Sequence, residues 1–336
     1  MKDVKTIFST IGSFGAGSGK NSSNIQNSKG KSFGYQVLGF GSGGPTFANP
    51  IVATGGTITE VGNFKVHVFT GGGTFSVSCV PSCQPGNVDY IVVAGGGGGS
   101  RTGGGGGAGG FRYSNEFITD SLTNAASTGF PVSACTGYPI SIGGGGAGSD
   151  SDNAESSPGS NSTLGPIAST GGGGAAVFQT MNGRPGGSGG GGVIGTGGSG
   201  NAGGFPLPEG NAGGNGGPGT AQGGGGGGAA EAGDNYPSGT RNGGDGLYYP
   251  TASLCGASVG VSAPAGFYFA GGGAGSTPTG TGGGLGGGGQ SSTENRPAPE
   301  AKGVDNTGGG GAKRANTGQN TQGGSGVVVI RYQFKG

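Results

Sequence analysis

Unbroken runs of glycine recur along most of this chain, for example at Gly95–Gly99, Gly103–Gly107 and Gly223–Gly228. A glycine run has no side chains to bury, so it cannot form an ordinary apolar core. Such runs are either flexible spacers or backbones that pack directly against other backbones. Segments rich in Val, Ile, Phe and Tyr flank the glycine region at both ends, and a flexible spacer does not need them. The sequence therefore favours an ordered body built from glycine.

Composition supports the same interpretation. Glycine supplies 97 of the 336 residues, about four times its average usage of about 7%. Charged residues make up 9% of the chain, and the formal net charge is +1. Disordered chains are typically rich in charge, so charge repulsion does not hold this chain open. Because ordering costs glycine more backbone entropy than any other residue, an ordered body needs dense backbone hydrogen bonding and close packing.

The charge distribution separates a lead segment, 1–50, from a glycine-rich domain, 51–336. The lead segment has five lysines and one aspartate among Ser, Asn and Gly. We interpret it as a basic, polar attachment segment or, alternatively, as a solvated terminus. No stretch of the chain approaches the roughly 20 apolar residues of a membrane span, and the first residues lack the apolar core of an export signal. We therefore expect synthesis in a cytosol and no membrane span.

Strand patterns lie at both ends of the glycine-rich domain. Apolar and polar side chains alternate over 64–68 and again over 74–78, which is typical of half-buried strands. The continuous apolar run 88–94 indicates a strand covered on both faces. The strongest strand signal is 327–334, at the C-terminus. We expect it to pair with the 57–94 region, so that a small antiparallel sheet forms the base of the domain.

Between these strands, region 95–326 alternates glycine runs with loops that carry most of the Pro, Tyr, Phe and charge. A polyproline-II helix has three residues per turn and no internal hydrogen bonds, so its N–H and C=O groups need outside partners. Collagen requires glycine at every third position, and this chain breaks that register. The predicted fold class is mostly irregular and β: a small antiparallel sheet closing a body of packed glycine-rich polyproline-II helices with long loops.

The ordered blocks of strand and glycine resemble a known family. Segments 73–77, 88–99, 103–111, 139–148 and 326–332 are similar to the glycine-rich domain of bacteriophage virion proteins, including tail-fibre and host-attachment proteins that are common in marine phages. The resemblance runs from about residue 34 to the C-terminus. It implies a non-enzymatic structural protein of the virion surface, synthesised in the host cytoplasm, whose loops bind a host receptor such as a glycan or an outer-membrane protein.

The same resemblance implies that the lead segment binds other virion proteins and that the chain is a homo-oligomer, a trimer by analogy with fibres. An alternative is a capsid fibre or decoration protein that binds no receptor. A third class is an ice- or surface-binding protein built from glycine helices. That class predicts a regular face with repeated Thr, which this chain lacks.

Aromatic residues in the loops are the candidate receptor contacts, because exposed aromatics on loops held by a rigid body suit the recognition of sugars or protein surfaces. The alternative for each residue is that it packs over the ends of the glycine helices or against a neighbouring subunit. The candidates are Phe205, Tyr236, Tyr248, Tyr249, Phe267 and Tyr268.

The four cysteines allow three full pairings. Cys79 and Cys83 flank a proline turn and are candidates for a local disulfide, with free thiols as the alternative. Cys135 and Cys255 are candidates for a second disulfide that joins two distant loops. A zinc site is not expected, since His67 is the only histidine.

The sequence gives little indication of a catalytic or metal-binding site. His67 alternates with valines on a strand, so we expect a structural or solvent-facing histidine rather than a general base. Asp150, Asp152 and Glu155 share one loop, but they lack the spacing of known calcium loops, and a solvated loop is favoured. We therefore predict no enzyme activity, no cofactor and no metal. The arginines are scattered and form no basic stripe for nucleic acid.

Two glycine motifs are rejected. Gly15–Lys20 resembles a phosphate-binding loop, but Phe14 and Asn21 stand where that pattern needs Gly and Ser or Thr. Gly104–Gly109 matches a dinucleotide fingerprint only because nearly all its surroundings are glycine, and no helix is expected after it.

Overall fold

The computed structural model of the protein describes residues 50–81, 86–101, 103–114, 128–219, 222–237, 240–250, 259–263, 266–276, 282–291, 301–313 and 320–335. All of these lie within one compact unit, Ala48–Lys335. Residues 1–49 of the lead segment lie outside the described residues, so its attachment role stays a prediction.

The regular elements of the described residues are all β-strands. Their bounds are β1 Val52–Thr54, β2 Thr57–Val61, β3 Phe64–Phe69, β4 Gly73–Cys79, β5 Asn87–Val93, β6 Phe111–Tyr113, β7 Phe130–Pro131, β8 Thr136–Ser141, β9 Ser162–Leu164, β10 Ile167–Ser169, β11 Leu247–Pro250, β12 Val261–Ala263, β13 Gly266–Phe269 and β14 Val327–Gln333.

These strands form three antiparallel sheets. The central sheet has the order β2-β3-β14-β5-β6, with β7 also paired to β5, the outer sheet has the order β1-β4-β8-β9-β10, and the small sheet has the order β11-β13-β12. The C-terminal strand β14 lies between β3 and β5 and pairs antiparallel with both, as its sequence pattern predicts. The prediction of a single small sheet was too simple, because short apolar pieces between glycine runs also form strands.

The central sheet is buried on both faces. On one face, Ile91 and Val329 pack in a cluster with Phe269 of the small sheet. On the other face, Val92 packs in a second cluster with Phe75 of the outer sheet. The expectation that 88–94 is covered on both faces is therefore confirmed. Strand β3, which lies on the other side of β14, was expected to be half-buried, but it is buried from Val66 to Phe69 because the outer sheet covers its second face.

The glycine run 94–100, which follows β5, hydrogen-bonds with a three-residue cycle. Its N–H groups donate to carbonyls in the order Ala94 to Gly110, Gly95 to Ser160, Gly96 to Gly324, Gly97 to Gly107, Gly98 to Ser157, Gly99 to Thr321 and Ser100 to Gly104. Successive N–H groups thus donate to three different runs in turn, and every third N–H group returns to the same run. The carbonyls of Gly95 to Gly99 accept in the same cycle from the N–H groups of Gly172, Gly146, Gly311, Ala175 and Ser149. Run 94–100 is therefore bonded to other runs on all sides.

The runs leave the sheets and return to them. Run 94–100 leaves after β5, and run 103–110 returns antiparallel to it and enters β6. Later runs leave after β8, β10 and β13, and others return into β9, β11 and β14. We call the end of the runs away from the sheets the distal end. The loops at 149–156, 177–183 and 192–196 connect runs there and are named the distal loops.

Interior runs need glycine for space. A Cβ at Gly98 would overlap the carbonyl of Ala147, and a Cβ at Gly106 would overlap the carbonyl of Gly97. An edge run is different: at Gly144 a Cβ would meet nothing within 4 Å. Along that edge run every third residue is exposed, namely Ser141, Gly144, Ala147 and Asp150. Outward-facing positions of a run thus accommodate side chains, whereas interior positions hold glycine or small residues such as Ala108 and Ser188.

Candidate functional site

The distal loop 177–183 exposes two large apolar side chains. Phe178 is 43% exposed and Met181 is 46% exposed. Val177 at the start of this loop and Val193 in the next distal loop are fully buried. The loop is thus anchored by valines that point inward, while Phe178 and Met181 point outward.

Met181 is held in an uncommon backbone conformation. Its φ is 59°, a left-handed value that costs a non-glycine residue energy unless its surroundings fix it. Its carbonyl accepts from the N–H of Val193 at 2.8 Å and of Gly195 at 3.3 Å, and its own N–H donates to Val177 at 2.9 Å. The amide oxygen of Asn182 accepts from the N–H of Thr196 at 2.9 Å. Two distal loops are therefore joined by hydrogen bonds, and they present Met181 in one orientation.

The distal loop 149–156 is linked to loop 177–183 by an ion pair. Glu155 forms an ion pair with Arg184, which directly follows loop 177–183. Both side chains are partly exposed, so this pair contributes little to stability, but it links two loops. The described residues hold no group of three His, Cys, Asp or Glu side chains placed to bind a metal ion.

Of the predicted aromatic contacts, Tyr236 is the one that lies at the distal end. Its N–H donates to Asn215 at the distal end of a parallel run, and its ring is half-buried. The guanidinium of Arg241 lies 5.8 Å from the ring centre. Arg241 is 6% exposed, and burial lowers its pKa.

The end of the runs opposite the distal end, where the sheets lie, is called the sheet end. The small sheet there carries four other candidate receptor contacts. Tyr248 and Tyr268 are direct cross-strand neighbours with ring centres 5.2 Å apart, and both are half-buried. Tyr249 is 2% exposed and packs edge-on against Tyr113 in the core, so its ring does not face solvent here. Phe267 lies opposite Tyr249 and packs against the same cluster.

Phe205 also lies at the sheet end, in the loop that connects two runs beside β6. The guanidinium of Arg112 lies 4.0 Å from the centre of its ring, and Arg112 donates to the carbonyl of Ala168 at 2.9 Å. Phe205 thus packs over the ends of the runs, as the alternative interpretation has it. The sequence analysis missed Phe178 and Met181, because their loop is short and interrupts the glycine only briefly; one aromatic residue within it was the available signal.

An open, acidic groove of about 310 Å³ lies between edge runs. Glu231, Asp234 and Asp245 line it together with Leu285. Asp234 accepts from the N–H of Asn242 at 3.1 Å, and Asp245 accepts from the N–H of Leu285 at 2.8 Å. Two of the three carboxylates therefore satisfy outward-facing N–H groups of the runs, which is a structural role.

His67 is buried and structural. Its Nδ1 donates to the carbonyl of Gly55 at 2.8 Å, and its Nε2 accepts from the hydroxyl of Tyr332 at 3.1 Å. Burial lowers the pKa of the imidazole, so the neutral form is favoured.

The cysteine predictions remain open. Cys79 is half-buried at the end of β4, and Cys135 is exposed. Cys83 and Cys255 lie outside the described residues. The two proposed disulfides therefore stay predictions.

The chain is similar to a known protein family. A family model described as a glycine-rich domain matches residues 69–333. No curated protein matches the chain. In the described part of the chain, no helix has the length and apolar character to cross a membrane.

Proposed function

Because the chain belongs to the glycine-rich domain family, we propose that it is a structural protein of a bacteriophage virion surface, similar to a tail fibre or adhesin. In this proposal it is not an enzyme. Its glycine runs are polyproline-II helices that hold the distal loops rigidly for attachment to a host cell. The resemblance of segments 88–99, 103–111 and 326–332 to phage virion domains supports the biological setting.

The observation that carries the proposal is the three-residue hydrogen-bond cycle of run 94–100. A polyproline-II helix has three residues per turn, so successive N–H groups point in three directions and each meets a different neighbour. Each backbone hydrogen bond contributes a net ~1 kcal/mol, and a body of such bonds is rigid. A rigid scaffold with loops collected at one end suits recognition, because binding does not have to order the loops.

The distal loops supply the best candidate contacts. Phe178 and Met181 are exposed in the same loop, and the carbonyl of Met181 accepts hydrogen bonds from the next loop. Tyr236 lies at the same end. In this proposal the host receptor, a glycan or an outer-membrane protein, binds to these loops, while the lead segment binds other virion proteins. The aromatics at the sheet end then serve packing.

The test has two parts. Gold-labelled antibodies against the full chain should bind to intact phage particles in electron micrographs. The labelled full-length protein should bind host cells, and the double variant Phe178→Ser, Met181→Ser should lose at least tenfold in affinity. Leu207→Ser is the matched control, since Leu207 is 41% exposed but lies at the sheet end.

Each outcome has a clear meaning. Cell binding that is lost in the double variant and kept in the control supports attachment through the distal loops. Antibody labelling of particles without any cell binding would replace this function with that of a capsid fibre or decoration protein. Absence from the particle would overturn the virion proposal.

A further inference from the structure

Both large sheets end on edge strands that are consecutive in the chain. β1 is an edge of the outer sheet, and β2 is an edge of the central sheet. Only Gly55 and Gly56 separate them. The corner is fixed, because the carbonyl of Gly55 accepts from His67 and the backbone of Ala53 hydrogen-bonds to the Tyr332 side chain. The two edges therefore lie on the same side of the packed sheets, and we call them the double edge.

In the double edge, β2 lacks the usual protection against pairing, whereas β1 is short and its register shifts between Val52 and Ala53. Proteins commonly guard edge strands with lysine, proline or short length. β2 has five residues, Thr-Ile-Thr-Glu-Val, whereas the described edges β1, β6, β10, β11 and β12 have three or four. Val52 in β1 and Ile58 in β2 are each 44% exposed. Within the described part of the chain, β2 pairs only with β3.

Charge does not oppose pairing at this edge. Glu60 is the one charged residue of β2. Its carboxylate lies 3.4 Å from the ammonium of Lys65 and 3.5 Å from that of Lys335. The negative charge of β2 is thus countered within its own chain, and the remaining residues of the strand are β-branched side chains that favour sheets.

We propose that the double edge is the docking surface for a second copy of this chain. β2 pairs antiparallel with β2 of the partner subunit about a two-fold axis near Thr59, so that each central sheet continues into the other. This register places Thr59 opposite Thr59 of the partner subunit, and Glu60 opposite Ile58 of the partner subunit. The two Glu60 carboxylates therefore do not face each other directly. Like charges directly opposite each other would destabilise the strand pair.

A second copy fits this surface better than an unrelated strand does. A two-fold interface uses the same patch on both subunits, and an antiparallel edge strand is complementary to itself. The chain also offers two edges with a fixed spacing, β1 and β2. A second copy brings two edges with the same spacing, so both sheets gain contacts at once.

The test is the oligomeric state of the full chain by analytical ultracentrifugation, up to roughly 0.3 mM protein. We expect a monomer–dimer equilibrium. Thr59→Lys should raise the dimer dissociation constant at least tenfold, because this register sets the substituted side chain opposite its own copy in the partner subunit, and like charges directly opposite each other destabilise a strand pair. Leu285→Lys is the matched control: Leu285 is 51% exposed but lies in a turn, and its variant should dimerise like the wild type. Circular dichroism checks that both variants fold.

Hydrogen exchange of the β2 amides separates the remaining cases. We expect slower exchange at high protein concentration than at low concentration. A chain that stays monomeric overturns the proposal. Exchange that is slow at every concentration also overturns it, because the chain's own residues would then cover the edge. Oligomers that form without any change at β2 use another surface, and they too overturn it.

Discussion

Arg331 in β14 donates a 2.7 Å hydrogen bond to its cross-strand neighbour Asp89 in β5. The two side chains are 6% and 1% exposed. Asp89 also accepts from the hydroxyl of Ser114 at 2.7 Å, and the guanidinium lies 4.8 Å from the centre of the Phe64 ring. A charge removed from water in this way is tolerated because it is paired and hydrogen-bonded. The pair ties the C-terminal strand to the strand from which the first long glycine run begins.

Removing one member of this pair should be costly. Arg331→Met leaves Asp89 buried without its cation, and we expect the free energy of unfolding to fall by about 3 to 5 kcal/mol. Lys335→Met is the control, because Lys335 pairs with Glu60 at the surface, and we expect a change within about 1 kcal/mol. Urea denaturation measures both. Equal effects of the two substitutions would contradict this account of the pair.

The packing of the runs predicts different results for two glycines in one edge run. A Cβ at Gly146 would overlap the carbonyl of Ser157, whereas a Cβ at Gly144 meets open space. We expect Gly146→Ala to lower the free energy of unfolding by about 1 to 3 kcal/mol, as overpacking does. Gly144→Ala should be neutral or stabilising by up to about 1 kcal/mol, because alanine restricts the unfolded chain. Thermal denaturation compares them, and matching midpoints would argue against close-packed runs.

Burial of His67 predicts a pH dependence. Its pKa in the folded protein is lowered below the ordinary value of 6.5, so at pH below 6.5 the unfolded chain binds a proton that the folded chain does not. The stability contributed by the neutral imidazole is therefore present above pH 6.5. It is lost as the pH falls from 6.5 through the lower pKa of the folded protein.

His67 is the only histidine in the chain, so its NMR signal needs no further assignment. We expect one titration with a midpoint below 6.5 in the folded protein. A midpoint at or above 6.5 would show that the imidazole is not held neutral by burial.

The strand patterns were the most informative part of the sequence. The apolar run in β5 predicted burial on both faces, and the C-terminal pattern predicted a strand. The aromatic candidates were harder to place, because Tyr248 and Tyr249 look alike in sequence. The two-residue period of a strand turns Tyr249 into the core and leaves Tyr248 on the other face.

The neighbours of each glycine run could not be predicted. Gly95–Gly99 and Gly223–Gly228 carry no side chains that distinguish one partner run from another. The exposed position of Met181 was equally hidden, since it follows from hydrogen bonds to a loop that is remote from any strand pattern. The exposed surface of the distal loops could therefore be identified only from the three-dimensional structure.

Amide hydrogen exchange of run 95–99 is the sharpest test of the glycine body as a hydrogen-bonded scaffold. Each of these five N–H groups donates to a different run or a different level of the same run. They should therefore exchange as slowly as the amides of β5 and β14, in the unit that opens only on global unfolding. Exchange at the rate of an unstructured glycine peptide would contradict the scaffold and, with it, the rigid presentation of the distal loops.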